Sequence, residues 1–263
     1  MKLSIIIVNY NTANITLDCL RSIEKYPFSH SFEVILVDNN SQDGSKEIFS
    51  KFKTKKFKFK YIYRNNNLGF SKANNIGIKN SQGEFVLLLN SDTEVIKNSL
   101  DMFLSQAQKL NNAGVVGCKL LNSDKSIQES VFNLPSVGRS ISQYIFKSNE
   151  DLNKYYPKTN LPKEVESVVG AAFLITPQAL KKLGGLDEKY FMYFEDLDYC
   201  RKARASGFKV YYLPEVKIIH HHGASKGDWK KMINSSKLYH GALVHYIIFL
   251  ITWFGQKLRR IGL

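Results

Sequence analysis

What the 263-residue sequence lacks narrows it first. It has three cysteines, Cys19, Cys118 and Cys200, far apart and with no CxxC pair, which argues against a disulfide framework or a zinc site and for a reducing compartment. No GxGxxG follows the first apolar run and no GxxxxGK[ST] occurs, so neither the dinucleotide fingerprint nor the P-loop is present. No apolar run reaches the roughly 20 residues of a bilayer-spanning helix. The apolar stretch at the N-terminus is shorter than the about 7–15 residues of a signal-peptide core and has no small-residue cleavage site, so it reads as a buried strand of a cytoplasmic protein. Acidic residues are scarce: 23 Asp and Glu face 37 Lys and Arg, a net charge of +14 that attracts anions, whether phosphates, nucleic acid or acidic lipid heads.

With 44% apolar residues, the chain can bury the core of one large α/β domain, with or without a short appendage. Leu3–Val8 is an apolar, β-branched strand, and Thr12–Tyr26 an amphipathic helix with Ile15, Cys19 and Ile23 at four-residue spacing. The alternation continues with strands at Phe32–Val37, Phe57–Tyr63 and Glu84–Leu89 and helices at Asp43–Phe52 and Ser71–Asn80. Continuous apolar strands alternating with helices predict a parallel sheet covered on both faces. A helix at Leu100–Leu110 and a strand at Ala113–Leu120 follow, and the pattern then degrades between Leu121 and Glu164. Val165–Thr176 reads as a strand, Pro177–Leu183 and Glu195–Ser206 as helices, and Phe208–Leu213 and Val216–His220 as two strands. The run KFKTKKFKFK at 51–60 interleaves Phe with Lys, as expected of an edge strand with a solvated face; a nucleic-acid contact is the weaker reading.

In a parallel α/β sheet, ligands sit beyond the carboxyl ends of the strands, where this chain is conspicuously polar. The four ends read Asn9-Tyr10-Asn11, Asp38-Asn39-Asn40-Ser41, Arg64 to Gly69, and Asn90-Ser91-Asp92. Tyr10 can stack on a base, and Asp38 can accept hydrogen bonds from a base or ribose; the plainer role for Asp38 is a turn or helix cap.

The segments SIIIVNYN (4–11), EVILVDNNSQDGS (33–45), NNLGFSKANNIGI (66–78), EFVLLLNSDTEV (84–95), FMYFEDLDYCRKARASG (191–207) and HHHGAS (220–225) together resemble family 2 glycosyltransferases, particularly the rhamnosyltransferase-like branch. The resemblance implies an α/β GT-A fold, with a Rossmann-like, mostly parallel central sheet flanked by helices. It also implies a nucleotide-activated sugar donor, Mg²⁺ or Mn²⁺ as cofactor, and inversion at the anomeric carbon. Residues 1–95 are then the nucleotide-binding half and 96–230 the acceptor-side half of one domain, with 231–263 a helical appendage. The nucleotide-binding candidates are Asn9, Tyr10, Asp38, Asn67, Gly69, Asn75 and Asp92. The family's DxD-type metal motif stands here as Asn90-Ser91-Asp92, which leaves Asp92 as the acid. His220, opening an HxxGxS pattern, is the second candidate metal ligand, and His222 a minor one. One protein carboxylate suffices for a hard cation that also takes phosphate and water oxygens.

Glu195-Asp196 resembles the family's ED motif, whose acid deprotonates the acceptor hydroxyl; Asp196 is the candidate base and Glu195 its acceptor-binding neighbour or alternative. Acids also suit the first turn of a helix for its dipole alone. The small-residue stretch Val169–Phe173 is either a wall for the donor sugar or close strand packing. The C-terminal run GALVHYIIFLITWFG (241–255), followed by Lys257, Arg259 and Arg260, reads as a helix lying on an anionic membrane, or as a buried or homodimer contact. The expected partners are a nucleotide-sugar donor and a glycan or lipid-linked acceptor at the cytoplasmic membrane face, without nucleic acid. A catalytically inactive nucleotide-sugar binder is the alternative that Asn90 keeps open, and a basic nucleic-acid-binding module ranks below it.

Overall fold

The structure, a computed structural model, describes residues 1–146, 152–221 and 228–260, with side chains to residue 257. The N-terminal half alternates strand and helix: β1 (Leu3–Asn9), α1 (Ala13–Lys25), β2 (Phe32–Asp38), α2 (Ser45–Lys51), β3 (Lys58–Tyr63), α3 (Phe70–Lys79) and β4 (Phe85–Leu89). It continues through β5 (Thr93–Val95), α4 (Ser99–Gln108), β6 (Ala113–Leu121), β7 (Ile127–Gln128), β8 (Val131–Phe132) and α5 (Val137–Tyr144). Then come β9 (Lys163–Val165), β10 (Ser167–Val168), β11 (Ala172–Ile175), α6 (Pro177–Leu183), α7 (Glu195–Ala205), β12 (Lys209–His220), α8 (Trp229–His240) and α9 (Ala242–Arg260).

One sheet runs through both halves in the order β3-β2-β1-β4-β11-β6-β12-β5. β1 to β4 are mutually parallel, β12 is parallel to β6, and β11 is inserted antiparallel to both β4 and β6. Side chains alternate across each strand, so one apolar run serves two layers. Ile5, Ile7, Leu87 and Leu89 join α1 and α4 in one core, while Ile6, Val86 and Leu88 join α6 and α7 in the other. Truncating a leucine in either layer to alanine costs about 2–5 kcal/mol. Gly77 of α3 lies directly against Ile6, and any Cβ there would collide with it, so the helix seats closely on β1. The three cysteines are free and buried.

Two sequence expectations are corrected. Val165–Thr176 is not one strand: it divides into the end of β9, then β10 and β11, because Val169–Ala171 leaves the sheet to meet α7. Conversely, Phe208–Leu213 and Val216–His220 belong to one strand, β12, whose register shifts between Leu213 and Lys217. Pro214 cannot donate to a ladder, and the irregularity accommodates it without ending the strand. Of the lysine-rich run only Lys58–Lys60 lie in a strand, β3, which takes the expected edge position: among the described residues it pairs with β2 alone.

The last two helices bend by 119° about Gly241, which has φ +80. Among the described residues no single helix is long and apolar enough to cross a membrane. α9 packs on α5, with Gly255 against Tyr144, and turns Leu243, Tyr246, Leu250, Trp253 and Phe254 outward, each more than half exposed.

Candidate active site

β2 and β3 lie to one side of β1 and β4 to the other, so the chain reverses direction across the sheet at β1, where α/β sheets open a crevice. A cleft of about 330 Å³ stands there, walled by residues from all four strand ends, among them Tyr10, Asn39, Asn67, Asn90 and Asp92. Phe191 and Met192 from the loop before α7, and Asp228 and Lys231 from the start of α8, close its other side.

Of the nucleotide-binding candidates, Tyr10, Asn67, Gly69 and Asp92 line this cleft, whereas Asn9, Asp38 and Asn75 do not. Asn9 is buried and holds the turn together, its amide donating to Ser41 and Ser45 and its carbonyl accepting from Thr12 and Thr16. Asp38 is also buried, accepting from the Tyr61 hydroxyl at 2.9 Å and the Ser41 amide at 2.9 Å. The residue facing the cleft is its neighbour Asn39, whose amide donates to Asn67 Oδ1 at 2.8 Å. Asn75 pins the chain at Leu186, accepting from its N–H and donating to its carbonyl. Gly69 is required twice over. Its φ of +84 favours glycine, and a Cβ there would stand 2.5 Å from the Phe191 carbonyl oxygen, which accepts the Phe70 N–H.

Asp92 and His220 are brought together, with His220 Nε2 3.2 Å from Asp92 Oδ1. Gln128 on β7 orients the ring. Its Nε2 donates to the Asn122 side chain and the His220 carbonyl, so its Oε1 is the acceptor at His220 Nδ1, 2.7 Å away. This network places the proton on Nδ1 and turns Nε2, the coordinating nitrogen of a neutral imidazole, toward the carboxylate, the usual support for a metal-binding histidine. Asn90 Oδ1 is buried and has no hydrogen-bond partner among the described residues. A divalent cation fits this donor set: a carboxylate, an oriented imidazole and an unmatched amide oxygen, with remaining positions for phosphate and water. Among the described residues no third His, Cys, Asp or Glu joins Asp92 and His220 in a cluster. His221 turns elsewhere, to Ser123 and Glu94, and His222 lies outside the described residues.

The ED pair stands at the first turn of α7, after Tyr193 and Phe194, both non-glycine residues in the left-handed region at φ 72 and 67. Such conformations cost on the order of 1–3 kcal/mol each and gather at functional sites. Asp196 accepts the Gly170 N–H at 3.0 Å and the Leu197 N–H at 2.8 Å. The residue after Gly170, Ala171, accepts the Asn90 N–H at 2.9 Å, so two hydrogen bonds on adjacent residues link the ED carboxylate to the end of β4. Burial raises the Asp196 carboxyl against these two amides. Glu195 is buried with Oε2 unpartnered; burial first, and the Asp196 charge second, push it up to about 8. Asp198, by contrast, is tied to Arg201 and Lys202 at 2.6 and 2.8 Å and serves structure.

The comparison with known proteins is decided by residues 4–184, which match Glycosyl transferase family 2. The chain belongs to that family. An uncharacterised protein, y4gI of Sinorhizobium fredii, is 29% identical over 227 residues, which are 85% of this chain and 25% of that protein. The N-acetylglucosaminyl-diphospho-decaprenol L-rhamnosyltransferase of Mycobacterium tuberculosis is 27% identical over 211 residues, 74% of this chain and 68% of the relative. This chain thus spans only a quarter of the first of these relatives. The mannosyltransferase PcManGT of Pyrobaculum calidifontis, solved in complex with GDP-Man and Mn²⁺, superposes with a TM-score of 0.65 at 15% identity, over 95% of this chain and 64% of that one. The fold of this family 2 chain is accordingly GT-A. Asn39 belongs to a strand end expected at the cleft but was not singled out as a nucleotide-binding candidate, nor was Phe191, and Lys231 was not expected there at all. Phe191 could have been found from its place at the head of the FMYFED segment, but Lys231 lies beyond the last motif.

Proposed function

We propose that this family 2 chain transfers a sugar, with inversion, from a nucleoside diphosphate donor to a hydroxyl of a glycan or lipid-linked glycan. The observation that carries this reading is the meeting of four polar strand ends at one cleft that Asp92 lines, with His220 3.2 Å from Asp92 and the end of β4 hydrogen-bonded through Ala171 and Gly170 to Asp196 of the ED pair. Tyr10, Asn39 and Asn67 hold the nucleoside. Asp92 and His220 hold Mg²⁺ or Mn²⁺, which when bound neutralises the donor's diphosphate. Asp196, kept above the ordinary carboxylate range by burial, takes the acceptor proton as the acceptor oxygen bonds to the anomeric carbon and the bond to the diphosphate breaks. Glu195, protonated at neutral pH, is left to donate a hydrogen bond to the acceptor.

The name of the Mycobacterium relative supports rhamnose as the sugar and a lipid diphosphate-linked acceptor; dTDP-rhamnose is the donor proposed, and a UDP-hexose is the second choice. The exposed face of α9 supports contact with an anionic membrane at the cytoplasmic side. From residue 229 onward the sequence carries Lys230, Lys231, Lys237, Lys257, Arg259 and Arg260 and no Asp or Glu, so a second copy on this face would meet like charge while acidic lipid heads would not. Binding to vesicles containing phosphatidylglycerol but not to phosphatidylcholine alone is expected; a dimer in solution with no vesicle binding overturns this part.

A thermal-shift screen of dTDP-rhamnose, UDP-hexoses and GDP-mannose, with and without Mn²⁺, tests the donor. A cognate donor at about 100 times its Kd stabilises by about 2.7 kcal/mol. No shift with any nucleotide sugar sinks the proposal, and binding without transfer or hydrolysis favours the inactive binder that Asn90 suggests.

A further inference from the structure

We infer that Lys231 is the diphosphate-binding cation of the donor cleft, sharing with the Asp92–His220 site the charge of the leaving group; this rests on the nucleoside diphosphate reading above. Among the described residues that line the cleft, Lys231 is the one Lys or Arg, facing a wall that otherwise carries Asp92, Asp228 and amides. Its ammonium is placed by two contacts and its backbone by a third. It lies 3.1 Å from the Asp228 carboxylate and 5.0 Å from the centre of the Phe191 ring, and its own backbone N–H donates to Asp228 Oδ1 at 3.2 Å, so Asp228 caps α8 while holding the side chain. Asp228 N–H in turn donates to the Tyr193 hydroxyl at 3.2 Å, which ties the start of α8 to the strained turn before Glu195 and Asp196. A cation so held is fixed in direction yet rests on an exposed carboxylate that a phosphoryl oxygen can replace.

Charge balance gives it a purpose. With Asn90 where the family's motif places a second acid, Asp92 is the single carboxylate of that motif left to offset the charge of a bound cation. A diphosphate leaving group carries off the electron pair of the broken C1–O bond, and a fixed ammonium stabilises that charge without exchanging a proton. Lys231 takes no part in the proton transfer, in which the acceptor proton goes to Asp196.

The test is equilibrium binding, at saturating Mn²⁺, of whichever of dTDP, UDP or GDP binds the unaltered protein most tightly, set against its nucleoside. Lys231→Met is expected to weaken nucleoside diphosphate binding about ten- to a hundredfold, as for loss of a charge-assisted hydrogen bond, with nucleoside binding unchanged. Lys231→Arg is expected to stay within about threefold, and in EDTA the diphosphate affinity that persists in the unaltered protein should vanish in Lys231→Met. Equal losses for nucleoside and diphosphate, or no loss for either, overturn the assignment; Lys231→Gln provides the same reading if the methionine variant does not fold. Failure of the unaltered protein to bind any of the three diphosphates is a different result, and it counts against the donor reading itself.

Discussion

The polar strand ends at the cleft and the head of α7 behind it are built on opposite principles. At the strand ends, Asn9, Asn39, Asn67, Ser41 and Ser45 satisfy one another in a web of neutral hydrogen bonds, and the backbone is positioned before any ligand arrives. At the head of α7, two acids stand side by side in a buried turn, one with an unpartnered oxygen, behind two residues in the left-handed region. The first is at rest and suits recognition of a fixed shape. The second carries two left-handed residues and a buried carboxyl whose charge is disfavoured, features that gather at functional sites.

The sharpest way to break this contrast is Asp196→Asn. Transfer is expected to fall about 10²–10⁴-fold in a steady-state assay with donor affinity nearly unchanged; wild-type turnover would sink the base assignment. In the unaltered protein the rate should rise with pH through a pKa above the ordinary Asp range, since the base acts once deprotonated. Next in size, Asp92→Ala should weaken Mn²⁺-dependent nucleotide binding by roughly 10–100-fold, measured by titration with and without EDTA, the scale seen when support of a metal site is lost. Gly69→Ala attacks the resting end. With a positive φ and the Phe191 carbonyl in the way, it should cost about 1–3 kcal/mol in denaturant unfolding and disturb the cleft wall.

The smallest effect sharpens the α7 side. Glu195 has its pKa raised on folding, so between the ordinary Glu value and about 8 the folded state holds a proton that the unfolded chain has lost, and stability falls as pH rises across that window. Glu195→Gln should flatten this part of a Tm-versus-pH curve; an unchanged slope would show that Glu195 is not the strained group.

Much of this was legible in the residues. The runs Leu3–Val8, Phe32–Val37 and Glu84–Leu89 mark their strands to within a residue, because strands buried on both faces need unbroken apolar side chains. The pairing of Asp92 with His220, 128 positions apart, followed from the motifs and not from any local pattern. Asp38 and Asn39 show where such reading stops. At a strand end successive side chains point opposite ways, so a one-residue difference decides whether a group meets Tyr61 beneath the sheet or the cleft above it. Lys231 was illegible for another reason: it comes from a helix outside every motif, brought to the cleft by tertiary packing alone. Pro214 misled in the other direction, as a strand breaker that β12 passes through.

The antiparallel insertion of β11 bears on how the chain is made. β1 to β4 can pair as soon as residues 3–89 have emerged from a ribosome, because every partner among them is already present. The seat between β4 and β6 stays open until Ala172–Ile175 arrive, some 50 residues after β6 is complete at Leu121. During that interval β4 carries an unpaired, fully apolar edge, the kind of strand edge on which nascent chains associate, and it is covered only when β11 inserts.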